Sequence, residues 1–391
     1  MRCFAQLDSA RDFMLRQAMH FEIKPVTTKS ERTLFETLPE QLLKDDAQYV
    51  PPVPGAVAKI LSPTSHFRET GDLQAFLAFR DGKPVGRIAA MINRRYNDYH
   101  KDKTGFFGLF DFIDDVAVAS QLLEVATRWL GEHGCDKARG PVNTPMGDEI
   151  GLLTSGYDTP PFILMAHNPV YYVPIYEKLG LTAVKNLNAY YMSATENTPE
   201  RIAKVSERIK RSTGIHLRII NMKNLKADLR IIRELYNETL DRNYGFIPLS
   251  DEDIDLLASE LKHIVNPEMV MIAEKDGVPI GFSLVFPNIN EFILDVKGSP
   301  RWLRLIKLLW KIKTSSPKEA RLAVLGVKKE YRHLGLGALF YSESLARGKQ
   351  TYKGGELSWV EDDNKEIIRG INLMGGKLYK TYRVYENPTH A

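Results

Sequence analysis

Residues 323–346, AVLGVKKEYRHLGLGALFYSESLA, hold the densest concentration of candidate chemistry in the chain. An apolar β-type run from Leu322 to Val327 enters a turn carrying Arg332, Gly335 and Gly337, and an amphipathic helical pattern with Leu339, Phe340 and Leu345 leaves it. Glycine permits close backbone approach and unusual dihedrals. The unsatisfied amides at a helix start, with the helix dipole behind them, attract anions. Strand, glycine turn and helix in that order therefore suit a phosphate or diphosphate cradle. Farther on, Glu361, Asp362 and Asp363 are carboxylates that can take a proton if their pKa is suitably tuned. His66, His100 and His167 are scattered without HExxH or Cys/His spacing, so no metal is expected. No Gly-x-Ser-x-Gly elbow is present.

Arg332-x-x-Gly335-x-Gly337 resembles the pyrophosphate-binding motif of the GNAT acyltransferase superfamily, whose members take an acyl group from acyl-coenzyme A. Its surroundings are similar too: Leu325-x-Val327 precedes the loop, Glu330-Tyr331-Arg332 leads in, and a helical pattern follows. The resemblance implies that the strand holding Leu325, Gly326 and Val327 splays from its neighbour and pairs with the pantetheine arm. It implies that Arg332 and the loop amides from His333 through Leu334, Gly335, Leu336, Gly337 and Ala338 hold the diphosphate. Trp359 to Asn364 is similar to the family's second strand ending in an Asn-capped helix, and Gly375 stands eleven residues after Asn364, where the family has the Gly of a Gly-Phe pair.

By that resemblance an amine attacks the thioester directly, with acyl-CoA, expected to be acetyl-CoA, as co-substrate and no metal. Gly326 and Val327 amides are candidate oxyanion donors and Glu361 is the first candidate base. Ile371 departs from the family, which places a thiolate-protonating tyrosine at that position; Tyr382 or Tyr379 is the candidate replacement. The acceptor implied is a small-molecule or aminoacyl amine, with no nucleic acid expected. Two other readings stay open: a non-catalytic acyl-CoA-binding scaffold, and a tandem-domain aminoacyl transferase of the peptidoglycan-synthesis type.

These residues need a frame, and an internal repeat supplies it. FLAFRDGKPVGRIAAMIN (76–93) matches MIAEKDGVPIGFSLVFPN (271–288) at an offset of 195, sharing Asp81/Asp276 and Gly82/Gly277 in what reads as a hairpin turn. The same offset sets Gly180 over Gly375 and Tyr190 over Tyr385. Each half then reads as strand, helix, hairpin, strand, helix, strand, helix and a closing strand pair. The expected fold is α/β (α+β): two tandem GNAT-like domains, each a mixed, mostly antiparallel sheet flanked by helices. The expected divisions are an extension at 1–19, a degenerate domain at 20–195 and a domain with the intact loop at 196–391. The first copy, FGLFDFIDDVAVASQLLEVA (107–126), has no glycine between Asp114 and Glu124 and so no comparable cradle. Its Asn168 and Tyr176-Glu177-Lys178-Leu179-Gly180 run is explained by helix-to-strand packing.

Each copy also carries an insertion. PRWLRLIKLLWKIK (300–313) puts Arg304, Lys307 and Lys311 on one stripe against Trp302, Leu305, Ile306, Leu309 and Trp310, the pattern of a helix that covers its own sheet or meets a membrane or an acyl chain. Residues 140–172 are rich in Gly, Pro and aromatics, and Asn143, Asp148 and Tyr157 there are candidate acceptor contacts. The chain's 391 residues suit two domains. A net charge of +4 gives no sign of nucleic-acid binding, and Cys3 and Cys135 alone make no disulfide framework, so the cytoplasm is expected.

Overall fold

The computed structural model describes residues 21–144, 149–195, 198–212, 214–261 and 264–389. The first half runs β1 (Phe21–Pro25), helix Lys29–Leu42, short helices Ala56–Ile60 and Phe67–Thr70, then β2 (Gly71–Arg80) and β3 (Lys83–Asn93). Helix Arg94–His100, β4 (Thr104–Phe112), helix Val116–Glu132, β5 (Lys137–Gly140), β6 (Leu152–Ser155), helix Tyr172–Lys178 and β7 (Thr182–Ser193) complete it. Helix Glu200–Ser212 links it to β8 (Ile215–Ile219), helices Leu225–Thr239 and Asp251–Leu261, β9 (Val270–Lys275) and β10 (Val278–Pro287). Helices Asn290–Val296 and Arg301–Thr314 lead to β11 (Glu319–Val327), a 3₁₀ turn at Lys329–Leu334, helix Leu336–Gly348, β12 (Gly354–Glu361), helix Lys365–Leu373 and β13 (Lys377–Pro388).

The repeat is geometric as well as textual. Asp81 and Gly82 have φ of 51° and 72°, and Asp276 and Gly277 have 52° and 78°. Positive φ at both central residues is the two-residue hairpin turn that matches strand twist, which Asp-Gly tolerates best. The halves do not end as expected, however. Each closes with one long strand rather than a pair, and β7 and β13 are offset by 195 residues at both ends (182 to 377, 193 to 388).

All strands join one sheet in the order β1-β2-β3-β4-β5-β13-β7-β12-β11-β10-β9-β8, with β6 on β13. The last strand of each half is therefore exchanged: β13 lies against β5, and β7 lies against β12. In the first half, helix Val116–Glu132 covers one face (Ile88, Phe107, Leu122) and helix Lys29–Leu42 the other (Phe35, Leu77, Ala89). In the second, Leu339 and Phe340 of helix Leu336–Gly348 pack one face, while helices Leu225–Thr239 and Asp251–Leu261 pack the other through Ile232 and Ile254. No helix among the described residues is long and apolar enough to cross a membrane.

Candidate active site

The site is built on a parting of strands. β11 and β12 are parallel neighbours from Glu319↔Gly354 only as far as Leu322↔Leu357. Beyond that point β11 stays with β10, through Gly281↔Val327, and β12 stays with β7, through Glu361↔Leu187. The strand expected to splay does so, and a wedge opens between Ala323–Val327 and Ser358–Glu361. Antiparallel ladders alternate hydrogen-bonded and non-bonded pairs. Lys328 N–H donates to Ile280 O at 2.9 Å, which makes Gly281↔Val327 a non-bonded pair. The Gly326 amide is thereby turned toward β10, and the amides of Leu325 and Val327 face the wedge. Of the two expected oxyanion donors, the Val327 amide faces the wedge and the Gly326 amide does not.

The loop after Val327 is tighter than a simple glycine bend. Tyr331 N–H donates to Lys328 O at 2.9 Å and Gly335 N–H to Arg332 O at 3.2 Å, so the 3₁₀ turn spends its own amides. Ala338 N–H is likewise bonded to Gly335 O at 2.9 Å. Of the stretch His333–Ala338, the amides of Leu336 and Gly337 remain at the helix start without an intrahelical acceptor. Gly335 needs its φ of 82°, and a Cβ there would stand 3.1 Å from Val205 of the linker helix. A Cβ on Gly337 would meet nothing within 4 Å. Arg332 clamps the loop from within, donating from Nε to Val327 O and from Nη2 to Thr239 O, each at 3.1 Å.

Both edges of the wedge, Leu322–Leu325 and Leu357–Val360, line a cavity of about 500 Å³. Its walls are largely apolar: Leu229, Ile232 and Tyr236 from one helix, Ile254 and Leu257 from the next, and Ile367 and Ile371 beyond. Phe67, Met91, Tyr96 and Phe106 from the first half close the far side, so the cavity spans the junction. The charged groups on its wall are already satisfied. Arg95 pairs with Asp253 at 2.8 Å, Arg139 with Glu386 at 2.7 Å, and Arg321 donates to Ser358 Oγ at 2.8 Å and Ile163 O at 3.0 Å. Residues 300–313 are not among the lining, which removes them as a grip for a chain in this cavity.

The expected catalytic pair is not brought to that wall. Tyr382 is 0% exposed, packed with Leu153, Phe162 and Leu187 in the core at the junction, because β13 turns alternate residues into the sheet's covered face. Glu361 follows the wall residue Val360 but is turned toward β7, accepting from Tyr244 N–H at 2.9 Å and pairing with Lys185 Nζ at 2.5 Å. Asp362 accepts from Asn186 and Asp363 from Lys185, each at 3.0 Å. Tyr379 donates its phenol to Glu356, a fully buried carboxylate also hydrogen-bonded to Ser358 Oγ and 3.6 Å from Arg321 Nε. Burial raises the Glu356 pKa. Sequence reading missed Glu356, whose one signal is a carboxylate between apolar neighbours in a strand. Asn364 is placed as expected, its side chain capping helix Lys365–Leu373 at Ile367 N–H, 3.3 Å.

A tyrosine that does line the cavity beside the wedge edges is Tyr341. It comes from helix Leu336–Gly348, lines the cavity with Leu322 and Leu357, and packs in one cluster with Ile371. Its ring lies 3.8 Å from where a Cβ on Gly370 would be. A tyrosine from the adjacent helix thus occupies the neighbourhood of the position at which the family tyrosine is missing. Burial pushes its pKa up to about 12, so it stays protonated at neutral pH.

The first half has the same parting of strands, filled by its own chain. β4 and β5 pair from Thr104↔Lys137 to Phe106↔Arg139, and then Val142 N–H donates to Phe107 O at 2.8 Å while Asn143 Oδ1 accepts from Leu109 N–H at 2.9 Å. The start of helix Val116–Glu132 carries its own anion: Asp115 accepts from Ala117 N–H at 2.8 Å and pairs with Arg80 at 2.6 Å. Asn143 is therefore a plug, and Tyr157 donates to Leu153 O at 2.6 Å within its own loop. Asp148 lies outside the described residues. His167 pairs with Asp46 at 2.7 Å. Among the described residues no cluster of three or more His, Cys, Asp or Glu is arranged to hold a metal ion.

No protein-family model matches the chain. It is 35% identical to "Bacterial ceramide synthase" of Caulobacter vibrioides over 371 residues, 93% of this chain and 96% of that protein. It is 32% identical to "Protein YghO" of Escherichia coli over 370 residues, 93% of this chain and 94% of that one. Among solved structures, a tandem GNAT protein from the clavulanic acid biosynthesis pathway superposes with a TM-score of 0.59 at 13% identity, covering 95% of this chain and 99% of that one. A GCN5-related N-acetyltransferase from Sphaerobacter thermophilus gives 0.54 at 14% identity, covering 94% and 95%. Those structural likenesses establish a shared fold.

Proposed function

The chain belongs to the family of bacterial ceramide synthase and YghO and is an acyltransferase of tandem GNAT fold; from that premise we propose that it moves a fatty acyl group from acyl-coenzyme A to the amine of a long-chain acceptor. One observation carries the reading: the wedge that suits a pantetheine arm opens directly into the apolar cavity between the halves. At about 500 Å³ the cavity lies within the range of ligand sites, roughly 300–1,000 Å³, and an acetyl group would leave most of it empty. Ceramide, the product class named for one relative, is an amide of a fatty acid and a long-chain amino alcohol, and this wall offers such chains apolar contact along most of its length.

In the proposed reaction the amine nitrogen attacks the thioester carbon, the C–N bond forms, and the C–S bond breaks with its electron pair on sulfur. The Leu325 and Val327 amides face the oxyanion that develops. Holding donor and acceptor side by side in the wedge supplies much of the rate by positioning. Tyr341 gives its proton to the departing thiolate and is reprotonated by the ammonium nitrogen of the intermediate, so the net transfer runs from nitrogen to sulfur. Leu336 and Gly337 amides, at the helix start, receive the diphosphate.

The test is turnover of the purified protein with palmitoyl-CoA or acetyl-CoA and sphinganine, followed by mass spectrometry of the amide. Faster turnover of the long donor, by tenfold or more, is the expected result. Equal turnover of acetyl-CoA with small amines, and none with sphinganine, would overturn the proposal.

A further inference from the structure

Helix Arg301–Thr314 is attached to the protein by the side that amphipathic helices ordinarily turn to water. Three of its five cations point inward: Arg301 pairs with buried Glu36, Arg304 with Glu40 at 2.6 Å, and Lys311 with Asp295 at 2.6 Å. Leu308 alone of its residues is buried. Its apolar stripe faces solvent, with Trp302 75% exposed, Ile306 59%, Leu309 55%, Trp310 65% and Leu305 40%. These five recur at i, i+3, i+4, i+7 and i+8, the spacing of a single continuous helix face. Two exposed tryptophans on one face are not the chance exposure of single apolar residues common on soluble proteins.

We propose that this helix docks the protein on an anionic lipid bilayer, lying flat in the headgroup layer with Trp302 and Trp310 as its anchors. Charge complementarity selects a bilayer over an apolar protein partner. Residues 297–318 contain seven Lys and Arg and no Asp or Glu. Three of the seven are held in the ion pairs above; Lys313 lies on the apolar face near its C-terminal end, and Lys307 flanks that face with its ammonium on Ser299 Oγ at 2.9 Å. Amphipathic rings with flanking lysines are what the membrane–water interface favours, and anionic lipid attracts each nearby cation. Eight residues apart, the tryptophans stand about 12 Å from each other along the axis, and on one face they reach the same depth.

The experiment is flotation of the full-length protein with vesicles of phosphatidylcholine and phosphatidylglycerol (3:1), against phosphatidylcholine alone, with tryptophan emission recorded with and without lipid. The protein is expected to float with the anionic vesicles and its emission to shift to the blue. The W302S/W310S double variant, which touches only exposed side chains, is expected to lose at least about tenfold in bound fraction while keeping the wild-type circular dichroism. No flotation of the wild type, or equal flotation of the variant, overturns the proposal. So does a lipid-free wild type in which the pair already emits as buried, or one that dimerises unless both tryptophans are removed, because either result assigns the face to protein.

Discussion

Gly337→Asp separates the stability of the anion loop from its function. Gly337 is the second residue of helix Leu336–Gly348, and a side chain there has open space, since an added Cβ meets no atom within 4 Å. Glycine in a helix is roughly 0.5–1 kcal/mol worse than alanine, aspartate recovers only part of that, and a carboxylate in the first turn gains about 0.3–1 kcal/mol from the helix dipole. The variant should therefore melt no lower than wild type. A diphosphate on the Leu336 and Gly337 amides would sit about 5 Å from the new carboxylate. Each charge pair there costs roughly 0.8 kcal/mol in bulk water and about 3 kcal/mol at an effective dielectric of 20. The loop is exposed, so the lower figure governs, and two phosphate charges give about 1.6 kcal/mol, roughly fifteenfold in Kd. Calorimetry with coenzyme A reads the affinity and a thermal melt reads the fold. Gly337→Ala, which adds volume without charge, should bind within about threefold of wild type, and added salt should narrow the gap for the aspartate. An unchanged coenzyme A affinity in a normally folded Gly337→Asp protein would refute the assignment of this helix start to the diphosphate.

Tyr341→Phe should lower kcat about a hundredfold with little change in KM, the usual scale for losing a positioned proton donor, and a steady-state comparison that leaves kcat intact removes Tyr341 from the mechanism. Glu361→Gln should retain turnover within about threefold while lowering the melting temperature, since its carboxylate serves Tyr244 N–H and Lys185; collapse of the rate in a folded variant would restore it as the base. Lys380 is 0% exposed and burial depresses its pKa from 10.5 to about 8. Between those values the unfolded chain binds more protons than the native one, so stability rises with pH across pH 8–10.5 and is lost as pH falls toward 8. The span corresponds to about 3 kcal/mol, and Lys380→Met should flatten that part of the stability curve in denaturant titrations at pH 8 and 10. A wild type as flat as the variant would show that Lys380 does not titrate this way.

Local chemistry was legible in the sequence where backbone and spacing dictate it. Asp-Gly at 81–82 and 276–277 fixed the hairpins, because few residue pairs accept two positive φ values, and helix Lys365–Leu373 starts at the expected Asn364 cap. The splay of β11 followed from a resemblance in a short motif, and the register bears it out. What the sequence hid was long-range. Nothing in β7 or β13 states that each will lie beside the other half's strands, because both mix apolar with polar residues in the same way and could pair with either neighbour. Which side of a strand meets a cavity depends on bulges such as that between Leu357 and Val360, so the orientation of Glu361 was not readable. Tyr341 was hidden for the same reason: its helix was legible, while its contact with Gly370 and Ile371 is tertiary. Residues 300–313 were recognised as a helix, but hydrophobic periodicity cannot say that Glu36 and Glu40, more than 260 positions away, would take the cations and leave the tryptophans outside.

The retention of a half without a cradle has a structural reason. In the first half, Val142 O would be 1.7 Å from a Cβ on Gly108, so that glycine is what lets residues 141–143 enter the parted strands and bond Phe107 and Leu109. Asp115 then fills the helix start that a diphosphate would need. The first half is thus closed by specific contacts, and its own strand β7 is spent on the wall of the second half's wedge, pairing Val360 and Glu361 through Asn188 and Leu187. Removing it would leave the open edge of β12 unpaired along the stretch where the acyl-CoA arm is proposed to lie. Phe67, Met91 and Phe106 would go with it, and the apolar cavity would open to water on that side. Exchange of the closing strands therefore converts a duplicated domain into part of its partner's site. On the proposed reading the first half contributes by shape, so the transfer needs no second cradle.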